Sequence, residues 1–160
     1  MQRDGSTAHS PRGYACVGLV RPKNVINVGS VLRAAGNYEV ALVVASGIRY
    51  RRTPTDTMLA HRRIPFVDDV ADIFAALPYN CVPVAVDLVE GAEPLVDYKH
   101  PERAFYIFGP EDGTLGRSVT DRCRDVVYVP THGCMNLAAT VNVILYDRLA
   151  KQWRARYAAA

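Results

Sequence analysis

Two short segments of the chain carry side chains that could bind a ligand and act on it. In NVGSVLR, Asn27 and Arg33 lie where a loop turns into a helix, with Arg33 about one and a half helical turns after Asn27. In FGPEDGTLG, a strand pattern ends in front of Gly109 and Glu111. The glycine lets the backbone lie against a ligand, and the glutamate brings a carboxylate to the same turn. An amide, a guanidinium and a carboxylate can together bind a polar ligand and stabilise charge that develops on an oxygen.

A third segment follows the strand-like sequence DVVYVP and begins a helix with unusual residue types. The turn PTHG leads into Cys134, Met135 and Asn136, and then into an amphipathic run that extends to Trp153. Asn136 stands where a helix N-cap is expected, so capping is an alternative to a role in chemistry, and the two roles can coexist. The i, i+4 spacing predicts a packing stripe, shared between the core and a dimer interface, of Leu137, Val141, Leu145 and Leu149.

Other common chemistries lack their sequence signatures. The four cysteines and four histidines form neither a CxxC pair nor HExxH spacing, which argues against a metal site. Neither GxGxxG nor GxxxxGK[ST] occurs, so a Rossmann dinucleotide site and a P-loop both lack their phosphate-binding turn. Apolar residues make up 49% and charged residues 22% of the 160 residues, as in a globular protein, and no apolar run approaches ~18 residues. We expect a reduced, cytoplasmic protein with no metal and no membrane segment.

The elements that must position the three segments follow from hydrophobic patterning. Apolar, β-branched runs recur along the chain as YACVGLV, EVALVVA, CVPVAVDL, RAFYIFG and DVVYVP, with helical stretches such as VGSVLRAAGNY and VDDVADIFAALP between several of them. This alternation predicts an α/β fold, a parallel sheet flanked by helices, in which ligands gather at the carboxyl ends of the strands. We predict a flexible leader at residues 1–13 and a single domain at residues 14–160.

The order of the three motifs, N-x-G-x-x-x-R, then F-G-P-E, then [S/C]-M-N-L before an amphipathic helix, resembles the SPOUT class of methyltransferases. Within that class it is most similar to the SpoU or TrmH-like RNA ribose 2'-O-methyltransferases, from about Tyr14 to Trp153. With no added RNA-binding domain, the chain looks most like the minimal TrmL-type members, which act at the tRNA wobble nucleotide. The resemblance implies an α/β-knot fold with a C-terminal trefoil knot. It also implies bound S-adenosylmethionine and a homodimer that completes the active site.

The resemblance assigns roles to individual residues. Arg33 would lie at the ribose hydroxyl, while Asn27, Glu111 and Asn136 would shape the site. Because a guanidinium keeps its proton at neutral pH, we interpret Arg33 as a group that holds the phosphate and stabilises the developing alkoxide rather than as a base. Contacts to the cofactor are expected from the loops after the strands, at Asp87, Leu88, Gly109, Val129, Gly133, Cys134, Met135 and Leu137.

Three positions depart from the family pattern. Cys134 replaces the serine that commonly opens the last motif, Ala138 replaces a later serine, and Thr114 stands where the second glycine of GPExxGL is expected. These changes motivate an alternative function, a non-catalytic RNA-binding module that keeps the fold. We interpret Cys134 as a packing or ligand contact, because no nearby pattern supplies a base for a thiolate nucleophile.

A basic segment, IRYRRTPTDTMLAHRRIP, is the predicted RNA-binding surface. Clustered arginines can neutralise phosphates and stack on splayed-out bases, which suits a single-stranded loop of RNA. The alternative is an ordinary solvated basic loop. The residues predicted to bind RNA are Arg49, Arg51, Arg52, Arg62 and Arg63.

Overall fold

The computed structural model describes residues 13–51 and 64–159, and its framework within these ranges is one parallel sheet. Its strands are β1 (Tyr14–Val20), β2 (Leu42–Ser46), β3 (Phe66–Val70), β4 (Val82–Val86), β5 (Glu93–Pro94), β6 (Arg103–Phe108) and β7 (Asp125–Tyr128). The helices are α1 (Val25–Asn37), α2 (Arg117–Thr120) and α3 (Leu137–Ala158), with a 3-10 helix at Ile73–Ala76. The predicted α/β class and parallel sheet are confirmed.

The strand order β3-β2-β1-β6-β4-β7-β5 brings the three predicted segments to one edge of the sheet. β6 pairs with β1 on one side and with β4 on the other, so that Val17, Tyr106 and Val84 share a row. β7 in turn pairs with β4. The loops after β1, β6, β4 and β7 therefore leave neighbouring positions at the carboxyl edge, where parallel sheets bind ligands.

The central strands are buried on both faces, which explains their nearly continuous apolar sequences. On one face Val17, Leu19 and Tyr106 pack against α1 and α3. On the other face Phe105 and Ile107 pack against the 3-10 helix and α2. Alternate residues of each strand thus belong to different cores, and the sheet is held rigidly between two layers of helix.

The helix predicted for VDDVADIFAALP is wrong. Residues Phe66–Val70 form the edge strand β3, which pairs in parallel with β2, and only Ile73–Ala76 turn into a 3-10 helix. The spacing of Val67, Val70, Ile73 and Phe74 fits a helix, but β-branched residues next to an exposed edge of β2 gain more from strand pairing. Asp72 separates the two elements by accepting a hydrogen bond from the Phe74 N–H.

The predicted stripe on α3 belongs to the core. Leu137, Val141 and Leu145 are buried and Leu149 is half-buried, whereas Tyr146 and Trp153 on another side of the same helix are exposed. None of the helices within the described ranges has the length and apolarity needed to cross a membrane. The trefoil threading of the carboxyl end remains a prediction from the resemblance, and the predicted leader lies outside the described residues except for Gly13.

Candidate active site

The three motifs meet in a chain of hydrogen bonds. Asn27 Nδ2 donates to Glu111 Oε1 at 2.9 Å, and Asn136 Nδ2 donates to Asn27 Oδ1 at 3.0 Å. These contacts join residues that are 84 and 109 positions apart in the sequence. The start of α1, the loop after β6 and the start of α3 are thereby fixed to one another at the carboxyl edge of the sheet.

Glu111 occupies the amino-terminal end of α1. Its carboxylate accepts from the backbone N–H of Lys23 at 3.0 Å and from that of Asn24 at 3.3 Å, where a helix favours negative charge. Burial on its own would raise the pKa of Glu111, but hydrogen bonds from Asn27 and from these backbone groups lower it below the ordinary value of 4.5. Glu111 is therefore ionised at neutral pH and suits an electrostatic role better than that of a proton acceptor.

Asn136 is held from two sides. It is the N-cap of α3, and its Oδ1 accepts from the backbone N–H of Ala138 at 2.9 Å. The cap fixes which end of the amide carries oxygen, so Nδ2 must point at Asn27. The predicted N-cap is confirmed, and the same side chain also links α3 to the other two motifs.

A cavity of about 440 Å³ opens beside this network, between the carboxyl ends of β4, β6 and β7. All eight residues predicted to contact the cofactor line it, and Glu111 lies in its wall. The turn residues Thr131 and His132 also line the cavity. The structure therefore gathers the predicted binding residues around one space, and their contact with a cofactor stays a prediction.

The loop after β6 is tightly folded against its own backbone. A Cβ added to Gly109 would come within 3.1 Å of the Leu115 backbone nitrogen, so a side chain there would displace the loop. Asp87, at the end of β4, holds the same turn by accepting the Leu115 N–H at 2.8 Å, and its other oxygen accepts from Leu88. Asp87 thus positions two walls of the cavity.

Two of the three departures from the family pattern, Thr114 and Ala138, fit without strain. Positive φ in this loop falls on Gly116, at 77°, so threonine at position 114 has an ordinary backbone conformation. Ala138 is buried under the first turn of α3, where the cap takes its backbone N–H. Gly133 has no neighbour within 4 Å of an added Cβ and instead faces the open cavity.

A second cavity, of about 560 Å³, lies next to the first and shares Glu111 with it. Lys23, Asn27 and Arg51 also line this space. Of the arginines predicted to bind RNA, Arg51 borders the cavity and is exposed. Arg52, Arg62 and Arg63 lie outside the described residues, so their predicted role remains a prediction.

Arg49 is engaged within the protein. Its guanidinium donates to both carboxylate oxygens of Asp112, at 2.6 and 3.1 Å, and to the backbone carbonyl of Arg21 at 3.0 Å. The Arg49 guanidinium holds the pKa of Asp112 well below its usual range. Arg49 therefore joins the loop after β2 to the loops after β1 and β6.

Arg33 does not reach the network within one chain. It is exposed on α1, lines neither cavity, and forms no hydrogen bond or ion pair with any residue in the described ranges. Six helical residues turn the Arg33 side chain roughly 120° away from that of Asn27, which is why motif spacing alone does not bring them together.

Sequence reasoning missed Lys23 and Asp112. Lys23 Nζ lies 3.5 Å from Asp112 Oδ2, and both side chains border the same group of loops. The proline and lysine before Asn24 belong to no recognised motif. Their position directly after a buried strand nevertheless indicates a loop at the ligand-binding edge of the sheet. Within the described residues, no group of three or more His, Cys, Asp or Glu side chains could hold a metal ion.

Comparison with known proteins identifies the family. The family model described as the SpoU rRNA Methylase family matches residues 14–146. The chain therefore belongs to this family, and the resemblance drawn from its three motifs is confirmed. No curated protein sequence gives a significant match.

Solved structures share the fold at low sequence identity. The SpoU methyltransferase AviRb from Streptomyces viridochromogenes, in complex with the cofactor AdoMet, has a TM-score of 0.74 and 18% identity over 94% of this chain and 65% of that chain. The A. aeolicus TrmH/SpoU tRNA modifying enzyme has a TM-score of 0.76 and 14% identity, with 91% of this chain and 79% of that chain covered. The chain thus spans less than two thirds of AviRb.

A further similar structure concerns 2-OH methylation of C/U34 on tRNA. Its TM-score is 0.71, and its identity is 21% over 92% of this chain and 94% of that chain. At identities this low, the similarity establishes the fold.

Proposed function

We propose that this protein transfers the methyl group of S-adenosylmethionine to a ribose 2'-hydroxyl of RNA, with tRNA as the substrate and its wobble nucleotide as the target. The observation that carries the proposal is the meeting of Asn27, Glu111 and Asn136 at the edge of a cavity that all eight predicted cofactor residues line. Membership in a family of RNA methylases supports the reaction class. The tRNA methylation structure of nearly equal length supports the substrate.

The first cavity fits a cofactor of nucleoside size. Its volume of about 440 Å³ falls within the range of roughly 300–1,000 Å³ that is usual for small-molecule sites. Its wall combines the exposed side chain of Leu88 with backbone at Gly109 and Gly133. When bound, S-adenosylmethionine would supply an activated methyl group: the C–S electron pair would stay on sulfur, the C–O bond would form at the ribose oxygen, and water would take the hydroxyl proton.

The residues of the chain then have mainly positioning and electrostatic roles. Glu111 keeps a negative charge at the wall shared by the two cavities, and Asn27 and Asn136 hold its loop against the starts of α1 and α3. Arg33 supplies positive charge for the phosphate and the developing alkoxide. Because Arg33 lies away from this wall in its own chain, we assign it to the site of a second copy.

A homodimer is supported by an exposed apolar surface on α1 and α3. Tyr146, Trp153 and Tyr157 are 61%, 50% and 73% exposed on one side of α3, and Ile26 on α1 is 72% exposed. Arg33 lies seven residues after Ile26 and therefore on the same side of α1. Side chains of this size on adjacent helices are typical of a surface that another protein covers.

Mixing two inactive variants tests the shared site. Arg33→Ala is expected to lower methyl transfer at least ~100-fold, and Asn136→Ala should also inactivate its own site. If Arg33 acts on the other protomer, refolded mixtures regain about a quarter of wild-type activity, since half of the dimers then contain one intact site. Absence of recovery, with dimers confirmed by sedimentation, would place Arg33 and Asn136 in the same protomer.

Calorimetry tests the cofactor assignment. We expect S-adenosylmethionine and its demethylated product to bind the full chain with Kd near ~1 µM, and Gly109→Val to abolish binding by displacing the loop. No heat of binding at about millimolar ligand would favour the alternative, an RNA-binding module without catalysis. A single cooperative unfolding transition of Gly109→Val in the absence of ligand is the control that the variant is folded.

Nucleoside mapping tests the substrate. Bulk tRNA is incubated with the protein and S-adenosylmethionine carrying a labelled methyl group, digested and analysed by mass spectrometry. Label in a 2'-O-methylated nucleoside at the wobble position supports the full proposal. Label on a base, or only in ribosomal RNA offered in parallel, would overturn the ribose or the tRNA assignment respectively.

A further inference from the structure

The second cavity differs from the first in the charge of its lining. Lys23 and Arg51 border it, and Glu111 separates it from the space assigned to the cofactor. We infer that this cavity receives the ribose and phosphate of the acceptor nucleotide, with Lys23 and Arg51 contacting the phosphodiester. The inference rests on the proposed function and adds a substrate subsite to it.

The position of the cavity suits an acceptor. Two reacting groups must approach to about 3 Å before transfer, so donor and acceptor must meet at a shared wall. Glu111 is the residue common to both cavities, and Asn27 lines only the second. A ribose in the second cavity therefore lies at the Asn27–Glu111 contact, and Glu111 also lines the first cavity.

The balance of charge leaves Lys23 and Arg51 available. Glu111 is compensated by the N–H donors at the start of α1, and Asp112 is compensated by the two hydrogen bonds from Arg49. Within residues 13–51 and 64–159, no hydrogen bond or ion pair of Arg51 competes with a ligand. The surplus of positive charge at this entrance attracts an anion, and phosphate is the anion that every RNA nucleotide carries.

Lys23 and Arg49 both contact Asp112 but differ in how firmly they are held. Lys23 makes one contact of 3.5 Å through a side chain that is 61% exposed, whereas Arg49 makes two short contacts to Asp112 and one to a carbonyl. An exposed pair of this kind contributes little, so Lys23 can turn to a phosphate at small cost. Of the two, Lys23 is the phosphate ligand and Arg49 holds the loops together.

Salt-dependent RNA binding tests this subsite. The full chain is titrated with a labelled single-stranded RNA of mixed sequence, without cofactor, at several salt concentrations. Lys23→Ala and Arg51→Ala should each weaken binding and reduce the slope of log K against log salt by about 0.7, and the double variant by about twice that. Lys99→Ala and Arg117→Ala remove one exposed charge each outside the cavity and are the matched controls.

The outcomes separate this inference from the proposed function. If Lys23→Ala and Arg51→Ala match the controls in affinity and slope, the subsite is wrong even when cofactor binding and methyl transfer are present. If both variants change the slope while calorimetry detects no cofactor, Lys23 and Arg51 contact RNA phosphate, but the cavity is not an acceptor subsite and the catalytic proposal fails. In a methylating enzyme, Lys23→Ala should raise KM for RNA several-fold and leave the affinity for S-adenosylmethionine unchanged.

Discussion

Helix α3 is attached to the sheet by two polar networks that differ in burial. At its amino end, Asn136 joins Asn27 and Glu111 beside an open cavity. Along its second half, Arg148 and Lys151 bind backbone carbonyls of the segment before β6. The first network holds loops at the place where ligands must enter, while the second fixes the helix to the body of the fold.

The buried network has a full set of partners. His100 contacts Tyr106 Oη at 2.6 Å through Nδ1 and Asp147 Oδ2 at 2.8 Å through Nε2, and Lys151 Nζ lies 2.7 Å from the same Asp147 oxygen. Arg148 is only 6% exposed and donates to the carbonyls of Pro101 and Glu102. Saturated buried networks of this kind favour one position of a helix over its alternatives.

The contrast teaches how one helix can serve both stability and chemistry. Because Arg148 and Lys151 fix its position, the amino end of α3 can expose Asn136 to a ligand without losing its place. The site network uses single hydrogen bonds between exposed or half-buried side chains, which can be rearranged at low cost. Breaking the buried network should therefore lower stability, whereas breaking the site network should lower methyl transfer.

Removal of the Arg148 side chain should have the largest effect, and the effect is on stability. Arg148→Met leaves the Pro101 and Glu102 carbonyls without their donor, so we expect a loss of about 3 kcal/mol in the free energy of unfolding. For a chain of this length the melting temperature then falls by roughly 6–12 °C. Urea and thermal unfolding measure both quantities.

The matched control is Arg117→Met, whose side chain is 91% exposed and, among the described residues, pairs with Asp121. Its unfolding free energy should change by less than about 0.5 kcal/mol. An Arg148→Met protein as stable as this control would show that water replaces the guanidinium, and that the second network does not fix the helix.

Substitutions of Asn136 distinguish its role as the N-cap of α3 from its hydrogen bond to Asn27. Asn136→Asp keeps an oxygen for the α3 cap but cannot donate to Asn27, so methyl transfer should fall about 100-fold while stability is kept. Asn136→Ala loses both contacts and should also destabilise the fold by about 1 kcal/mol. The methyl-transfer rate and the melting temperature of both variants are measured to check that the two effects are separate. Full activity in the aspartate variant would remove the Asn136–Asn27 contact from the mechanism.

The sequence predicts those parts of the fold whose residues interact with near neighbours. The run Tyr14–Val20 indicates a buried strand because both its faces are apolar, and Asn136 indicates a helix start because capping is local. β3 was predicted as a helix because the i, i+3 spacing of Val67 and Val70 fits the helical period, and the segment forms a strand because it pairs with β2.

In the candidate site, too, contacts between residues far apart in the sequence are the ones that the sequence predicts least well. The motifs predicted that Asn27, Glu111 and Asn136 belong to one site, and the structure brings them together. The pairing of Arg49 with Asp112 joins residues 63 positions apart, and no pattern in either segment specifies it. Arg49 and Arg51 are both basic residues in one exposed segment, so the sequence alone does not show that Arg49 pairs with Asp112 and Arg51 does not.

Acidification should lower the stability of the fold through both networks, but in different pH ranges. This is the smallest of the expected effects. Burial lowers the pKa of His100 below its usual 6.5, although the hydrogen bond and charge of Asp147 act in the opposite direction and Lys151 and Arg148 add to the lowering. The unfolded chain then binds this proton more readily than the folded one, so stability is fully present above pH 6.5 and declines as the pH falls below it. The lowered pKa of Glu111 contributes stability that declines only below pH 4.5.

Urea unfolding between about pH 8 and pH 5 should therefore show a decline in the stability of the wild type. His100→Gln cannot titrate at this position and should lack that decline. Equal declines in both proteins would assign the acid sensitivity to groups outside the buried network, and the two ends of α3 would then differ in burial but not in their response to protons.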